Sequence, residues 1–266
     1  MERLLGVINL DQEHDFLDEL TYFRCGASVP YAGRYRLIDF VISNMINSSI
    51  FEIAVFVRSK YRSLLDHLGE GKQWNLDKKR GGLFILPPDW HDPADISRGE
   101  FQHFHNNIDF FHRGTSDYVL QCGSQHLCNI DYQKVISHHQ KTDSEVTLIY
   151  KKVDEIQTEH QDCWRLNIDE KGEVKDIHNE ADNTNIYMDM FIINKDLLLD
   201  LVQEGIDHHQ EYFFRDAIIG NINNLKISGY AYKGYHAVIN SIESYYKTHL
   251  ELMNIDNYRD LFLQHN

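Results

Sequence analysis

The chain has 266 residues, 42% of them hydrophobic and 25% charged, with a formal net charge of −15 from 26 basic and 41 acidic side chains. That length and composition suit one large soluble domain with a sizeable core, and that charge opposes binding to nucleic acid or an anionic membrane, which needs a basic footprint. No apolar run approaches the roughly 18 residues of a membrane span, no signal-peptide pattern opens the chain, and four cysteines without C-x-x-C spacing (Cys25, Cys122, Cys128, Cys163) read as reduced thiols of a cytoplasmic protein.

In chain order, 4–8 is a short apolar run that predicts a buried strand. A phosphate-binding α/β protein would follow it with glycines, because the backbone must come close to the phosphates. Residues 9–15 instead read Asn-Leu-Asp-Gln-Glu-His-Asp, with no glycine and three carboxylates, a phosphate cradle lost or never present. Then comes Pro30-Tyr31-Ala32-Gly33-Arg34-Tyr35-Arg36-Leu37-Ile38-Asp39-Phe40, followed by Ser43-Asn44-Met45-Ile46-Asn47-Ser48. Turn chemistry feeding an amphipathic helix is the pattern of a site-bearing corner on an α/β scaffold.

Residues 52–57 predict a strand, and Ser59 is placed to cap a helix that Gly69 or Gly71 ends. Residues 83–86 predict another strand, stopped by Pro87-Pro88. Residues 89–107 have few apolar anchors and read as a long surface excursion. His103 and His105 form a His-x-His pair there, but no cysteine or carboxylate stands at ligand spacing, so no metal is assigned. Arg113-Gly114-Thr115-Ser116-Asp117 reads as a helix entry capped by Thr115 or Ser116. Strands are expected at 118–120 and 145–153, with a helix over 132–140 between them. A hairpin with a turn at Gly172 is expected across 164–177. Strands at 186–194 and 227–232, helices at 196–203 and 213–219, and one terminal helix over 242–263 capped by Ser241 complete the pattern. The alternation predicts an α/β fold, a mixed and mostly parallel sheet with helices on both faces.

The segment 33–40 with 43–48 resembles the Gly-Lys-Tyr-Arg-Ile-Ile-Asp-Phe and Ser-Asn-Cys-Ile-Asn-Ser signature of ADP-glucose pyrophosphorylases (glucose-1-phosphate adenylyltransferases). Tyr61-Arg62-Ser63-Leu64 with His67-Leu68, Ile85-Leu86-Pro87-Pro88, Arg113-Gly114-Thr115-Ser116-Asp117, His126, Asp131-Tyr132 and Ile242-Glu243-Ser244-Tyr245-Tyr246 agree with further family motifs, in order and over nearly the whole chain. The resemblance implies a Rossmann-like nucleotidyltransferase domain followed by a left-handed β-helix domain. It also implies conversion of ATP and glucose 1-phosphate to ADP-glucose and pyrophosphate with Mg²⁺, which two aspartates normally hold. On that reading the chain is a single nucleotidyltransferase-like domain spanning 1–266, without the β-helix domain, and the apolar face of its last helix (Leu250, Leu252, Met253, Leu261, Phe262, Leu263) is bare. The implied nucleotide and sugar-phosphate pocket is Asn9, Arg113, Gly114, Thr115, Asp117 and His126.

The departures are the informative part. The family's glycine-rich loop falls on residues 9–15, and its Lys-Pro falls on Gly26-Ala27. Its Gly-Asp-His falls on Ser124-Gln125-His126, so the first metal aspartate becomes Gln125. Its Asp-Val-Gly-Thr falls on 238–241, so the second becomes Val238. Its sugar-phosphate Glu-Lys-Pro has no match in 176–180. An amide brings Mg²⁺ no charge and valine brings no ligand, so Gln125 and Val238 are degenerate positions, with no catalytic residue, no metal ligand and no tightly bound cofactor expected, and Mg²⁺ only if the chain is active.

This pattern resembles the non-catalytic, regulatory-type subunit of the bacterial enzyme. It implies a catalytic ADP-glucose pyrophosphorylase subunit as partner and ATP, ADP-glucose or a sugar phosphate as effector. The family associates a basic residue at Arg34 with a sugar-phosphate activator, so Arg34 and Arg36 are the regulatory-phosphate candidates, with Lys60 and Arg62 nearby. Arg36 equally suits a structural pair with Asp39. Two alternatives stand beside this reading. One is an active nucleotidyltransferase using Asp117 or Asp131 for metal, and the other is a sugar-nucleotide or sugar-phosphate sensor.

Overall fold

The computed structural model describes residues 3–13, 16–77, 81–89, 99–179 and 183–263. His14, Asp15, His91 and Glu180, which fall in segments considered above, lie outside them. The first strand, β1 (Leu4–Asn9), is followed by the two-residue strands β2 (Pro30–Tyr31) and β3 (Tyr35–Arg36), α1 (Leu37–Asn47), β4 (Glu52–Phe56), α2 (Arg62–Leu68) and β5 (Gly82–Leu86). Two helices, α3 (Gly99–Asn106) and α4 (Ile108–Arg113), lead into β6 (Tyr118–Cys122) and β7 (His126–Cys128). Then come α5 (Tyr132–Thr142), β8 (Val146–Lys152), β9 (Arg165–Ile168), β10 (Val174–His178), β11 (Asn185–Asn194) and α6 (Lys195–Asp207). After a π-helical segment, Phe213–Ile219, the chain forms β12 (Ile227–Tyr232), β13 (His236–Val238), α7 (Ile242–Glu251) and α8 (Ile255–Phe262).

One mixed sheet organises the molecule, in the order β10-β9-β11-β6-β1-β4-β5, with β8 also on β11 and β12 beyond it. Strands β6, β1, β4 and β5 run parallel, and β11 lies antiparallel to β6 and β8. The parallel strands are largely apolar because helices cover both faces. Leu4 and Ile8 pack with Ile38, Val41, Ile42 and Met45 of α1 and with Val135 and Ile136 of α5 on one side. Leu5 and Val7, which point the other way, pack with Phe101 and Phe104 of α3, Phe111 of α4 and Leu198 of α6. A smaller core under α7 and α8 holds Val29, Tyr31, Leu37, Phe40 and Leu261.

The corner at 30–40 is a structural joint. The backbone amide of Arg36 donates to Asp39 Oδ2 at 2.9 Å, which caps the start of α1. The other oxygen of Asp39 meets His67 Nε2 of α2 at 2.6 Å. The Arg36 guanidinium donates through Nη1 to the carbonyl and hydroxyl oxygens of Ser63, both at 2.8 Å. Tyr245 of α7 donates its hydroxyl to the Pro30 carbonyl, and Phe262 of α8 packs 5.5 Å from the rings of both Tyr35 and Phe40.

Five expectations are corrected. Residues 99–106 are a helix, not a surface excursion. Phe101 and Phe104 fix its inner face, and its polar Glu100 and His103 are also buried because each has partners. Residues 113–117 are not a helix entry but the descent from α4 into β6, with the Ser116 hydroxyl bonded to the backbone of Arg3 and Tyr118. The terminal helix is two helices, since the Asn254 side chain accepts from Asp256 N at 2.9 Å and starts a new one. Its apolar face divides too. Leu250, Met253 and Leu263 are exposed, whereas Leu261 is buried. The α2 helix carries no side-chain cap from Ser59.

Replacing Asp39 with alanine removes both the cap of α1 and the tie to α2. The expected loss is about 1 to 2 kcal/mol, read as a lower urea midpoint with an unchanged m-value. Arg34→Ala, in the exposed turn, should leave the midpoint where it is.

Candidate functional site

The parallel strands end together, and the loops leaving them enclose a cleft. Asn9 closes β1, Gln12, Glu13 and Phe16 follow it, and Gly123, Ser124, Gln125 and His126 leave β6. Asp162, Cys163 and Trp164 precede β9, Tyr187 and Asp189 come from β11, and Val238 and Asn240 from the end of β13. The cavity is about 400 Å³, and a second cavity of about 300 Å³ shares Asn9, Gln12, Gly123, Trp164 and Asp189 with it and adds Glu100, Gln121, Tyr212, Phe214 and Arg215. Ligands of open α/β sheets bind at this end, outside the carboxyl ends of the strands.

The loop after β1 is held by its own carboxylates. Asp11 accepts from Arg58 Nη2 at 2.9 Å and meets His103 Nδ1 at 2.8 Å, while the other ring nitrogen of His103 faces the Leu86 carbonyl at 3.0 Å. Burial would raise the Asp11 pKa, but the His103 hydrogen bond and the charges of His103 and Arg58 outweigh it and hold it below the usual carboxylate range. Glu13 accepts from the Ala27 amide at 3.1 Å and from the Ser124 hydroxyl. Burial pushes Glu13 up to about 7 against these bonds, including one from the Gly26 amide. The sequence places three carboxylates in 9–15. The two that are described, Asp11 and Glu13, turn inward onto donors.

Two more acids complete the cleft. Glu100, buried at the start of α3, accepts from the Phe213 amide at 2.7 Å and from the Asn9 side chain, and burial pushes it up to about 8. Asp189 sits on a bulge of β11 with φ +52. Burial, then the charge of Glu13, pushes it up to about 7. Its side chain is open to the water of the cleft, which screens it, so Glu100 bears more of the cost of enclosure. Gly123 leaves room for Asp189, since a Cβ there would stand 1.9 Å from Asp189 Oδ2 and push that carboxyl aside.

The residues expected from sequence divide into two groups. Asn9, Gln125, His126 and Val238 all line the cleft. Val238 pairs with His126 in the β13–β7 ladder, and the Ile239 amide donates to the Gln125 carbonyl, so two positions 113 residues apart stand side by side. His126 Nδ1 lies 3.0 Å from His236 Nε2, and burial, then the charge of His160, pushes His126 down to about 3. Arg113, Gly114, Thr115 and Asp117 are not brought there. They lie at the opposite ends of β1 and β6, where Arg3 donates to the Thr115 hydroxyl, and Lys195 donates to the Gly114 carbonyl through its side chain and to the Asp117 carbonyl through its amide. The glycine that leads a helix at the cleft is Gly99. Asp131 caps α5 by accepting from Gln133 N at 3.0 Å and is not among the cleft residues.

Arg34 lies exposed in the β2–β3 turn, 5.0 Å from the Tyr35 ring, while Arg36 is engaged with Ser63. Sequence reasoning missed Glu100, Trp164, Tyr187 and Asp189. Asp189 had a visible signal, a lone acid inside the apolar run 186–193.

Mg²⁺ does not fit the inherited positions, because Val238 offers no donor and Gln125 no charge. Among the described residues no three His, Cys, Asp or Glu side chains gather closely enough to hold an ion.

A nucleotidyl transferase family model matches residues 17–218. The chain belongs to that family. This nucleotidyl transferase chain is 35% identical over 262 residues to the glycogen biosynthesis protein GlgD of Bacillus subtilis, covering 98% of itself and 66% of that protein. It is 44% identical over 148 residues to GlgD of Geobacillus stearothermophilus, 55% of this chain and 43% of that one. It is 27% identical over 266 residues to the glucose-1-phosphate adenylyltransferase of Clostridium novyi, covering 98% and 70%. It thus spans less than two thirds of the length of either GlgD relative. A solved Bacillus anthracis structure assigned as a glucose-1-phosphate thymidylyltransferase shares the fold, with a TM-score of 0.75 at 12% identity over 94% of this chain and 96% of that one.

The buried acids set a pH dependence. A carboxyl whose folded pKa lies above its unfolded value stabilises the fold below the unfolded pKa and loses that contribution as pH rises through the folded one. For Glu100 the window runs from about 4.5 to about 8. Glu100→Gln removes this loss, so its stability should exceed that of the parent by more than about 1 kcal/mol at pH 8.5 and the gap should close at pH 5. Thermal melts across that range measure it. His126 works in the other direction, contributing above about 6.5 and losing that contribution as pH falls toward about 3.

Proposed function

We propose that this chain is the non-catalytic, regulatory-type partner of a glucose-1-phosphate adenylyltransferase, acting in glycogen synthesis in the cytoplasm. The observation that carries this reading is the scarcity of cations in the cleft. Its lining holds Glu13, Glu100, Asp162 and Asp189 against a single arginine, Arg215, which is itself paired through Nε to Asp216 at 2.6 Å. Nucleotidyl transfer needs cations to neutralise charge on the phosphates. Here the Gly26 and Ala27 amides, which suit an anion, are taken by the Glu13 carboxylate.

The similarity to two GlgD proteins and to glucose-1-phosphate adenylyltransferases supports the pathway and the partner. No helix among the described residues is long and apolar enough to cross a membrane. Of the two arginines near the first helix, Arg34 is the one left exposed for an anionic effector. An active enzyme built on Asp117 or Asp131 is disfavoured by their distance from the cleft. Binding to the active subunit would shift its substrate or effector affinity, and that coupling is reciprocal.

The purified chain, given ATP, glucose 1-phosphate and Mg²⁺, should release no pyrophosphate above background, and clear turnover would overturn the proposal. The double variant Gln125→Asp, Val238→Asp should stay inactive as well, since Glu13 still holds the amides. Co-expression with the active subunit should change that subunit's activity or effector response.

A further inference from the structure

We propose that the cleft is a binding site for a neutral, unphosphorylated saccharide. The inference takes from the preceding reading only the loss of phosphate handling, and it names what the same cleft takes instead.

The first observation is an orphan. Tyr187 lines the larger cavity, the residue is 3% exposed, and its hydroxyl oxygen is buried with no hydrogen-bond partner. A buried hydroxyl left unpaired is costly, and the fold retains it beside a cavity. Its ring is fixed from behind by Phe214, stacked at 4.4 Å with the planes 5° apart, so the hydroxyl is held in place.

The second observation is the chemistry of the walls. Gln12, Gln125 and Asp189 line the space, Glu13 and Asn240 beside them are bonded to the protein, and Trp164 borders both cavities. Carboxylate oxygens accept and amides both accept and donate. A ligand that matches this set must present many hydroxyl donors and carry no negative charge. A sugar ring does so, and its C–H face packs on an aromatic plane. A nucleobase offers only a few donors along one edge, and a phosphate meets carboxylates it cannot pair with. A volume of about 400 Å³ lies within the range of small-molecule sites.

Titration calorimetry with glucose, maltose, glucose 1-phosphate, adenosine and ATP tests this, alongside the turnover assay. Glucose or maltose should give saturable binding, with glucose 1-phosphate at least about tenfold weaker than glucose. Tyr187→Phe keeps the ring stack and removes only the orphan hydroxyl. It should weaken sugar binding about three- to tenfold while leaving the melting temperature unchanged or higher, a pair of effects that a purely structural role would not produce. Lack of saturable binding by either neutral sugar would overturn the inference. So would tighter binding of glucose 1-phosphate, adenosine or ATP, or sugar binding indifferent to Tyr187→Phe. Turnover of ATP would instead overturn the non-catalytic reading, so the two failures are distinguishable.

Discussion

The Asp11 carboxylate is the interaction on which the cleft depends. It joins the loop after β1 to Arg58 beyond β4 and to His103 of α3, and His103 in turn reaches the last residue of β5. Three neighbouring strands and a helix are thereby tied at one end of the sheet. A buried charge pair of this kind contributes little net stability compared with a packed apolar cluster, but losing one partner leaves the others stranded at high cost. What it supplies here is position. With the Glu13 bonds to Ala27 and Ser124, it fixes the path of the chain that carries Gln12 and Glu13 into the cleft.

That path decides the charge of the site. A phosphate cradle offers backbone amides to a ligand's negative charge and uses glycine to let it approach. In this chain the loop supplies the negative charge itself. Glu13 reaches the amides at 26 and 27, and the hydroxyl of Ser124 closes around its other oxygen. An anion arriving there would have to displace a carboxylate already bonded and meet Asp189 and Glu100 as well. Regaining a metal ligand at Val238 or Gln125 would leave this unchanged, because the elements of such a centre act together.

Much of the fold was legible because the apolar periodicity was strong. The strands at 4–8, 52–57, 186–194 and 227–232 and the helix over 132–140 needed no tertiary knowledge. The hairpin at 164–177 announced itself through Gly172. The segment 99–106 was not legible, because Glu100 and His103 look like surface residues until Phe213 and Asp11 appear as their partners. The break at 252–254 depends on one asparagine side chain choosing the backbone. In the site, Gln125 and Val238 were reached through a resemblance and turned out to be neighbours across β7 and β13. The same resemblance placed 113–117 at the wrong end of the sheet. There the short motif Arg-Gly-Thr-Ser-Asp matched in letters, while the tight contact of Gly114 with Leu5 serves packing.

The stretch at 30–40 keeps its family pattern in a chain with glutamine at 125 and valine at 238, and its hydrogen bonds explain the persistence. Asp39 caps α1 and holds α2 through His67, and Arg36 fastens the same helix through Ser63. Phe40 and Tyr35 receive Phe262, and Pro30 receives Tyr245, so the last two helices rest on this corner. Each of these residues is needed for the joint whether or not a nucleotide binds nearby. Removing the metal ligands relaxes nothing here, because the joint does not touch them. A motif can therefore outlast the reaction it marks when its side chains also hold the scaffold together, and Arg34, which makes none of these ties, is the position in it where a role beyond the fold is left to explain.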